Sequence, residues 1–194
     1  MEICNMYKRK EIFSIPNILG YFRILLIPFF MYTYMTAETV RDYYAPAFIV
    51  GASSITDMFD GLIARKFNMV TELGKLIDPF ADKLTQGALI LCFVFKYQYM
   101  RYLLALYVLK EGFMLVAGIV ILHRNGNKLN GAKWFGKVST ALVYVVMFIL
   151  FLHPIFFPNL DRHIIDSLIA LCFFAMAATL ILYVPVFIRL YKNE

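Results

Sequence analysis

The chain has 194 residues, of which 61% are hydrophobic and 16% charged, and its mean hydropathy is +0.69. A soluble domain of this length cannot bury so much apolar surface, so composition excludes a water-soluble fold and indicates an integral membrane protein. The net charge of +6 does not indicate nucleic acid, because the basic residues lie between apolar runs and not along one polar face.

The first stretch, Met1 to Ser14, mixes polar and apolar residues, as in an interfacial helix lying on the membrane or a frayed tail. With Glu2 and Glu11 among its basic residues, it fits neither a cleavable signal peptide nor an acid-poor transit peptide. About 20 apolar residues are needed to cross the hydrocarbon core, and on that measure six spans are expected. They fall at about 16–36, 44–63, 75–96, 101–122, 134–153 and 164–188. The expected fold is therefore all-α, six transmembrane helices in one membrane-embedded domain covering 1–194. Lys8, Arg9, Lys10, Arg65, Lys66, Arg124, Lys128, Lys133, Arg189 and Lys192 would share one side of such a plan. Only Arg41, Lys96, Arg101 and Arg162 would share the other. The richer side is expected to be cytoplasmic, with both termini there and the protein multi-pass in the cell membrane. Cys4, Cys92 and Cys172 have neither disulfide nor zinc spacing.

Four acids break the apolar pattern. Asp57, Asp60, Gly61 and Ala64 are offset by 0, 3, 4 and 7, one face of a helix; Gly74, Asp78 and Asp82 are offset by 0, 4 and 8, again one face. A hairpin through Lys66–Thr71 would bring the two faces together at the cytoplasmic side, where the active site is expected. Ionisable groups at membrane depth cost about 2.5–3.5 kcal/mol each on insertion scales, so a cluster of them marks a site. Four carboxylates are neutralised by two divalent cations, and ligation by oxygen alone favours Mg²⁺ or Mn²⁺. Magnesium usually keeps waters or phosphates in its shell, so a phosphate-bearing substrate is expected beside it. Gly61, Ala64 and Gly74 leave room against the backbone, and Arg65 offers a fixed charge for a phosphate. A cation transporter or channel would account for the charge, but not for Gly61, Ala64, Arg65 and Gly74.

At these residues the chain resembles the CDP-alcohol phosphotransferase family. Every fixed position of that family's D-x2-D-G-x2-A-R, eight residues, G-x3-D-x3-D signature is present: Asp57, Asp60, Gly61, Ala64, Arg65, Gly74, Asp78 and Asp82. The resemblance implies attack of an alcohol on a CDP-linked donor, usually CDP-diacylglycerol, with release of CMP. It implies that Asp57, Asp60, Asp78 and Asp82 hold two divalent cations, and that Asp82 is also the general base. Gly61, Ala64, Arg65 and Gly74 would shape the donor pocket. Members are commonly homodimers, and their partners are the donor, the acceptor and membrane lipids, not nucleic acid.

Ile15-Pro16-Asn17-Ile18-Leu19-Gly20-Tyr21-Phe22-Arg23 resembles the phosphatidylglycerophosphate synthase and cardiolipin synthase branch, which often has Thr or Ser where this chain has Gly20. The acceptor implied is glycerol 3-phosphate or phosphatidylglycerol, with inositol phosphate or serine behind them. Glycerol 3-phosphate synthases typically carry Arg-Glu in the fourth span, Arg eight residues later and G-K-x-K-T in the fifth. This chain has Lys110-Glu111, Gly118 and Gly136-Lys137-Val138-Ser139-Thr140. Fewer basic groups weaken the free-phosphate acceptor, and the two leading acceptors end close to equal. Arg23, Lys110 and Lys137 are the acceptor candidates; Arg23 either faces the polar cavity or snorkels to the surface.

Overall fold

The computed structural model describes residues 14–66, 74–125 and 133–192, without the side chains of 15, 16, 57–66, 75, 76, 122, 124, 125 and 192. Among these residues lie six helices: α1 (Ile15–Met35), α2 (Tyr44–Lys66), α3 (Gly74–Val94), α4 (Met100–Asn125), α5 (Trp134–Phe156) and α6 (Arg162–Lys192). Their bounds fall within a few residues of those of the six expected helices. Apart from Ser14, the expected interfacial segment lies outside the described residues, as does most of the 66–71 hairpin.

Among the described residues four stretches are long and apolar enough to cross a membrane: Asn17–Met35, Met100–Ile121, Trp134–Phe156 and Arg162–Tyr191. Helix α2 contributes only the shorter apolar stretch Tyr44–Thr56. In α2 the side chains beyond Thr56 lie outside the described residues, and in α3 the charges Asp78, Asp82 and Lys83 interrupt the apolar run. Large apolar side chains such as Leu25, Phe29, Phe48, Val108, Leu115 and Phe148 stay exposed, a surface suited to lipid and not to water. The chain is a multi-pass membrane protein.

The backbone gathers into two compact units, Met1–Cys92 and Phe93–Glu194. In the first, α1 buries Asn17, Gly20, Arg23, Phe30 and Tyr34, a stripe at helical spacing. Helix α2 packs back against α1, and Tyr34 meets Tyr43 edge-on with ring centroids 5.6 Å apart. Helix α3 runs in the same direction as α1. Gly20 faces Ile77, Arg23 reaches Asp82, and Phe30 shares a small slot with Ala88 and Leu89.

The second unit repeats a three–four spacing on each helix. Met100, Leu103, Tyr107, Lys110 and Ile121 are buried on α4; Gly136, Ser139, Val143, Val146, Met147 and Leu150 on α5; and Ile165, Ile169, Cys172, Met176, Thr179, Tyr183 and Phe187 on α6. Such stripes let helices interlock side by side. Ile121 near the end of α4 clusters with Tyr183 and Phe187 near the end of α6, so these two helices are parallel. Phe135 at the start of α5 stacks edge-on against Tyr183 at 4.8 Å, so α5 is antiparallel to α6. Gly136 makes that approach possible: a methyl group there would run into the Tyr183 hydroxyl and stand 3.1 Å from ring carbon Cζ.

The α1–α2 turn is fastened by one carboxylate. Asp42 Oδ2 accepts from the Thr39 backbone N–H at 2.7 Å, the Thr39 hydroxyl at 2.9 Å and the Glu38 N–H at 3.1 Å. The Thr39 backbone bond, then the Thr39 hydroxyl, then the Glu38 bond hold this exposed carboxyl below its usual range. Because the folded-state value is depressed, the fastening is fully present above the ordinary carboxylate range and is lost as pH falls through the folded value. Amide exchange at Glu38 and Thr39 should therefore stay slow on acidification until below that range. Asp42→Ala should exchange fast at every pH; equal protection in the variant would remove this role.

Candidate active site

Helix α3 places the second acid pair. Asp78 and Asp82 are four residues apart, so they share a face, and both are exposed, whereas Gly74 and Ala81 are buried. Pro79 lies between them inside the helix and has no N–H to donate to the Lys75 carbonyl, which loosens the ladder at this point.

Helix α1 supplies the counter-charge. Arg23 is 3% exposed, and its Nη1 donates to Asp82 Oδ1 at 2.8 Å. Burial and this ion pair decide between the two sequence-based alternatives: Arg23 turns inward and is not a snorkelling anchor. The pair is uneven, since the Arg23 side chain is 4% exposed and that of Asp82 55%. Gly20, one turn before Arg23, lets α1 approach α3 closely. A Cβ built there would stand 2.9 Å from Ile77 Cγ2 and 3.8 Å from Asp78 Oδ1. A Ser or Thr at this position would crowd Ile77, which gives a steric reason for glycine. Asn17, only 1% exposed, continues the same face of α1.

The first acid pair lies on α2 at the same end of this unit. Ser53 and Ser54 on α2, Thr85 on α3 and Arg23 line one small slot. From that level the backbone register carries α2 onward to residues 57 and 60, while α3 runs back to Asp82 and Asp78. The side chains of Asp57, Asp60, Gly61, Ala64 and Arg65 lie outside the described residues. Among the described residues, no three His, Cys, Asp or Glu come together as a metal site. The described half of the donor set suits a hard cation, being two accessible carboxylates on one helical face.

The other basic candidates lie in the second unit. Lys110 is buried, 7% exposed, and its Nζ donates to Glu111 Oε1 at 2.9 Å. The Glu111 charge also acts on Tyr107 and Tyr183, so the pair sits in a polar layer inside the bundle. Ser139 is buried in α5, whereas Lys137 is exposed in its first turns. Sequence reasoning singled out Lys110 but missed the Tyr183–Gly136 contact. It also missed Asn17 as a buried polar group, although its spacing from Gly20 and Arg23 was a usable signal.

Comparison with known proteins adds to this geometry. The family model for CDP-alcohol phosphatidyltransferase matches residues 13–188. The CDP-diacylglycerol–glycerol-3-phosphate 3-phosphatidyltransferase of Escherichia coli (strain K12) is 32% identical over 144 residues, 73% of this chain and 79% of that protein. The protein of the same name from Rickettsia bellii (strain RML369-C) is 46% identical over 79 residues, 40% of this chain and 42% of that protein. The chain thus spans less than half of the Rickettsia relative and most of the Escherichia coli one.

The unequal burial of Arg23 and Asp82 predicts unequal substitutions. Asp82→Ala takes one anionic partner from a buried guanidinium and should cost about 2 kcal/mol, below the range for breaking a buried pair because the carboxylate is half exposed. Arg23→Leu removes the buried charge, leaves an exposed carboxylate and should cost less than about 1 kcal/mol. Thermal unfolding in detergent reads the difference; the opposite ranking would refute this view of the pair.

Proposed function

The chain belongs to the CDP-alcohol phosphatidyltransferase family of enzymes, and we propose that it transfers a phosphatidyl group from CDP-diacylglycerol to glycerol 3-phosphate, releasing CMP. The observation that carries this reading is the family match along residues 13–188, which includes every fixed position of the motif. The names of the relatives from Escherichia coli and Rickettsia bellii favour glycerol 3-phosphate over phosphatidylglycerol. The departures to lysine, glycine and serine at Lys110, Gly118 and Ser139 are what favoured phosphatidylglycerol.

In this reading α2 and α3 both cross the membrane, giving six spans with both termini and the acid cluster on the cytoplasmic side. The excess of lysine and arginine on that side supports it. A homodimer in the cell membrane is the assembly that the family resemblance implies.

The chemistry assigned to the residues is as follows. Asp57, Asp60, Asp78 and Asp82 would hold two divalent cations, Mg²⁺ or Mn²⁺, which when bound neutralise the diphosphate and the departing CMP. Gly61, Ala64, Arg65 and Gly74 border the donor. Asp82 accepts the proton of the attacking hydroxyl. The hydroxyl oxygen bonds to the phosphorus that carries diacylglycerol, and the bond from that phosphorus to the bridging oxygen breaks, so CMP leaves with the electron pair. Arg23 orients the Asp82 carboxylate and must release it as the proton arrives. Arg23, Lys110 and Lys137 remain the basic groups assigned to the acceptor phosphate. The buried Lys110 supports this assignment better than the exposed Lys137.

Purified protein given labelled CDP-diacylglycerol, Mg²⁺ and a panel of acceptors should form phosphatidylglycerophosphate with glycerol 3-phosphate, as read by lipid mass spectrometry. Cardiolipin formed from phosphatidylglycerol instead would reassign the acceptor. Asp82→Asn should stop CMP release while donor binding survives, and excess EDTA should silence the wild type. Mg²⁺ flux through liposomes without nucleotide would support a transporter instead.

A further inference from the structure

At the end of the second unit where α4 and α6 begin, a groove of about 510 Å³ lies between the two helices. Its lining changes character along α6. His163, Asp166 and Ser167 come first, and Ala170, Phe173 and Phe174 follow on the same face, at offsets of 3, 4, 7, 10 and 11 from His163. From His163 to Phe174 this face rises about 16 Å, a polar head followed by an apolar floor. Tyr99 and Tyr102, at the start of α4, form the facing wall.

Asp166 is the unexplained group. It stands one turn inside Arg162–Tyr191, a stretch apolar enough to cross the membrane, about 6 Å beyond its first residue. It makes no hydrogen bond or ion pair among the described residues, not even with Arg162 four residues earlier. A carboxylate at that depth calls for a cation. Arg101 is already engaged, its guanidinium over the Tyr102 ring at 5.1 Å and its Nη2 3.4 Å from the Tyr102 hydroxyl. The aromatic wall suits an alkylammonium, which is attracted both to ring faces and to a carboxylate.

We propose that this groove binds a zwitterionic phospholipid whose ammonium head meets Asp166 between Tyr99 and Tyr102. Its phosphodiester lies toward Arg101, and the upper part of one acyl chain rests on Ala170, Phe173 and Phe174. The order of ammonium head and acyl chain matches the order of carboxylate and apolar surface along the groove. A water-soluble amine would leave the two phenylalanines uncovered, and an anionic head would face an unpaired carboxylate. The site lies at the far end of its unit from the Ile121–Tyr183–Phe187 cluster and is independent of the transferase reading.

The test uses the full chain in detergent with equal amounts of phosphatidylethanolamine, phosphatidylcholine and phosphatidylglycerol of identical acyl chains. Native mass spectrometry reads the lipids retained. The two ammonium lipids should be kept over phosphatidylglycerol by about three- to tenfold, as expected for one partly exposed charge contact with ring support. Asp166→Asn should erase that preference. Ala170→Trp, which fills the groove from an exposed position, should lower retention of both ammonium lipids, with thermal unfolding confirming that each variant is folded. Equal retention of all three lipids by the wild type would overturn the proposal, as would an unchanged preference in either folded variant. Loss of oligomer mass in Ala170→Trp without a change in bound lipid would assign the groove to a second copy of the chain and overturn it equally.

Discussion

A guanidinium inside an apolar helix must find an anion, and the first unit is arranged around meeting that demand. Arg23 cannot be left unpaired in the interior, so α1 and α3 are tied at the level where its Nη1 meets Asp82. The tie sets the rotation of α3, turning Asp78 and Asp82 outward while Gly74 and Ala81 face in. Because the buried member is the cation and the accessible one the carboxylate, the fixed charge stays while its partner remains open to exchange. A group that must hold an orientation and also take part in chemistry benefits from that asymmetry.

The helices were legible in the sequence because each ends at a polar or turn-forming stretch, such as the Asp42 turn between α1 and α2. Their number that cross the membrane was less so. Four stretches qualify among the described residues, and in α3 the charges Asp78, Asp82 and Lys83 interrupt the apolar run. The acid face of α3 followed directly from the four-residue interval between Asp78 and Asp82. The direction of Arg23 did not, because a long flexible stem can run inward or outward, and only the neighbouring helix decides. Tyr183 over Gly136 was equally hidden, being a contact between residues far apart in the chain with no periodic signature.

The polar layer of the second unit shows how a departure from a family pattern can be absorbed. Lys110 is neutralised next door by Glu111, so the pair brings no net charge into the bundle. A lysine is a compact point charge on a flexible stem and does not grip a phosphate through two parallel bonds as arginine does. The chain therefore keeps a cation at this position with a different reach. Tyr107 and Tyr183 lie within reach of the Glu111 charge, and Tyr183 packs against the backbone at Gly136.

Gly20 shows that a small steric detail can govern an electrical one. Ile77 is branched at Cβ, so its Cγ2 methyl turns only with difficulty in a helix, and anything larger than hydrogen at residue 20 would push back on the whole of α3. The gap between Arg23 and Asp82 would widen with it, one turn further along. The absent side chain thus works as a spacer of zero thickness, which sets how far apart two opposite charges stand and so how readily one lets go of the other.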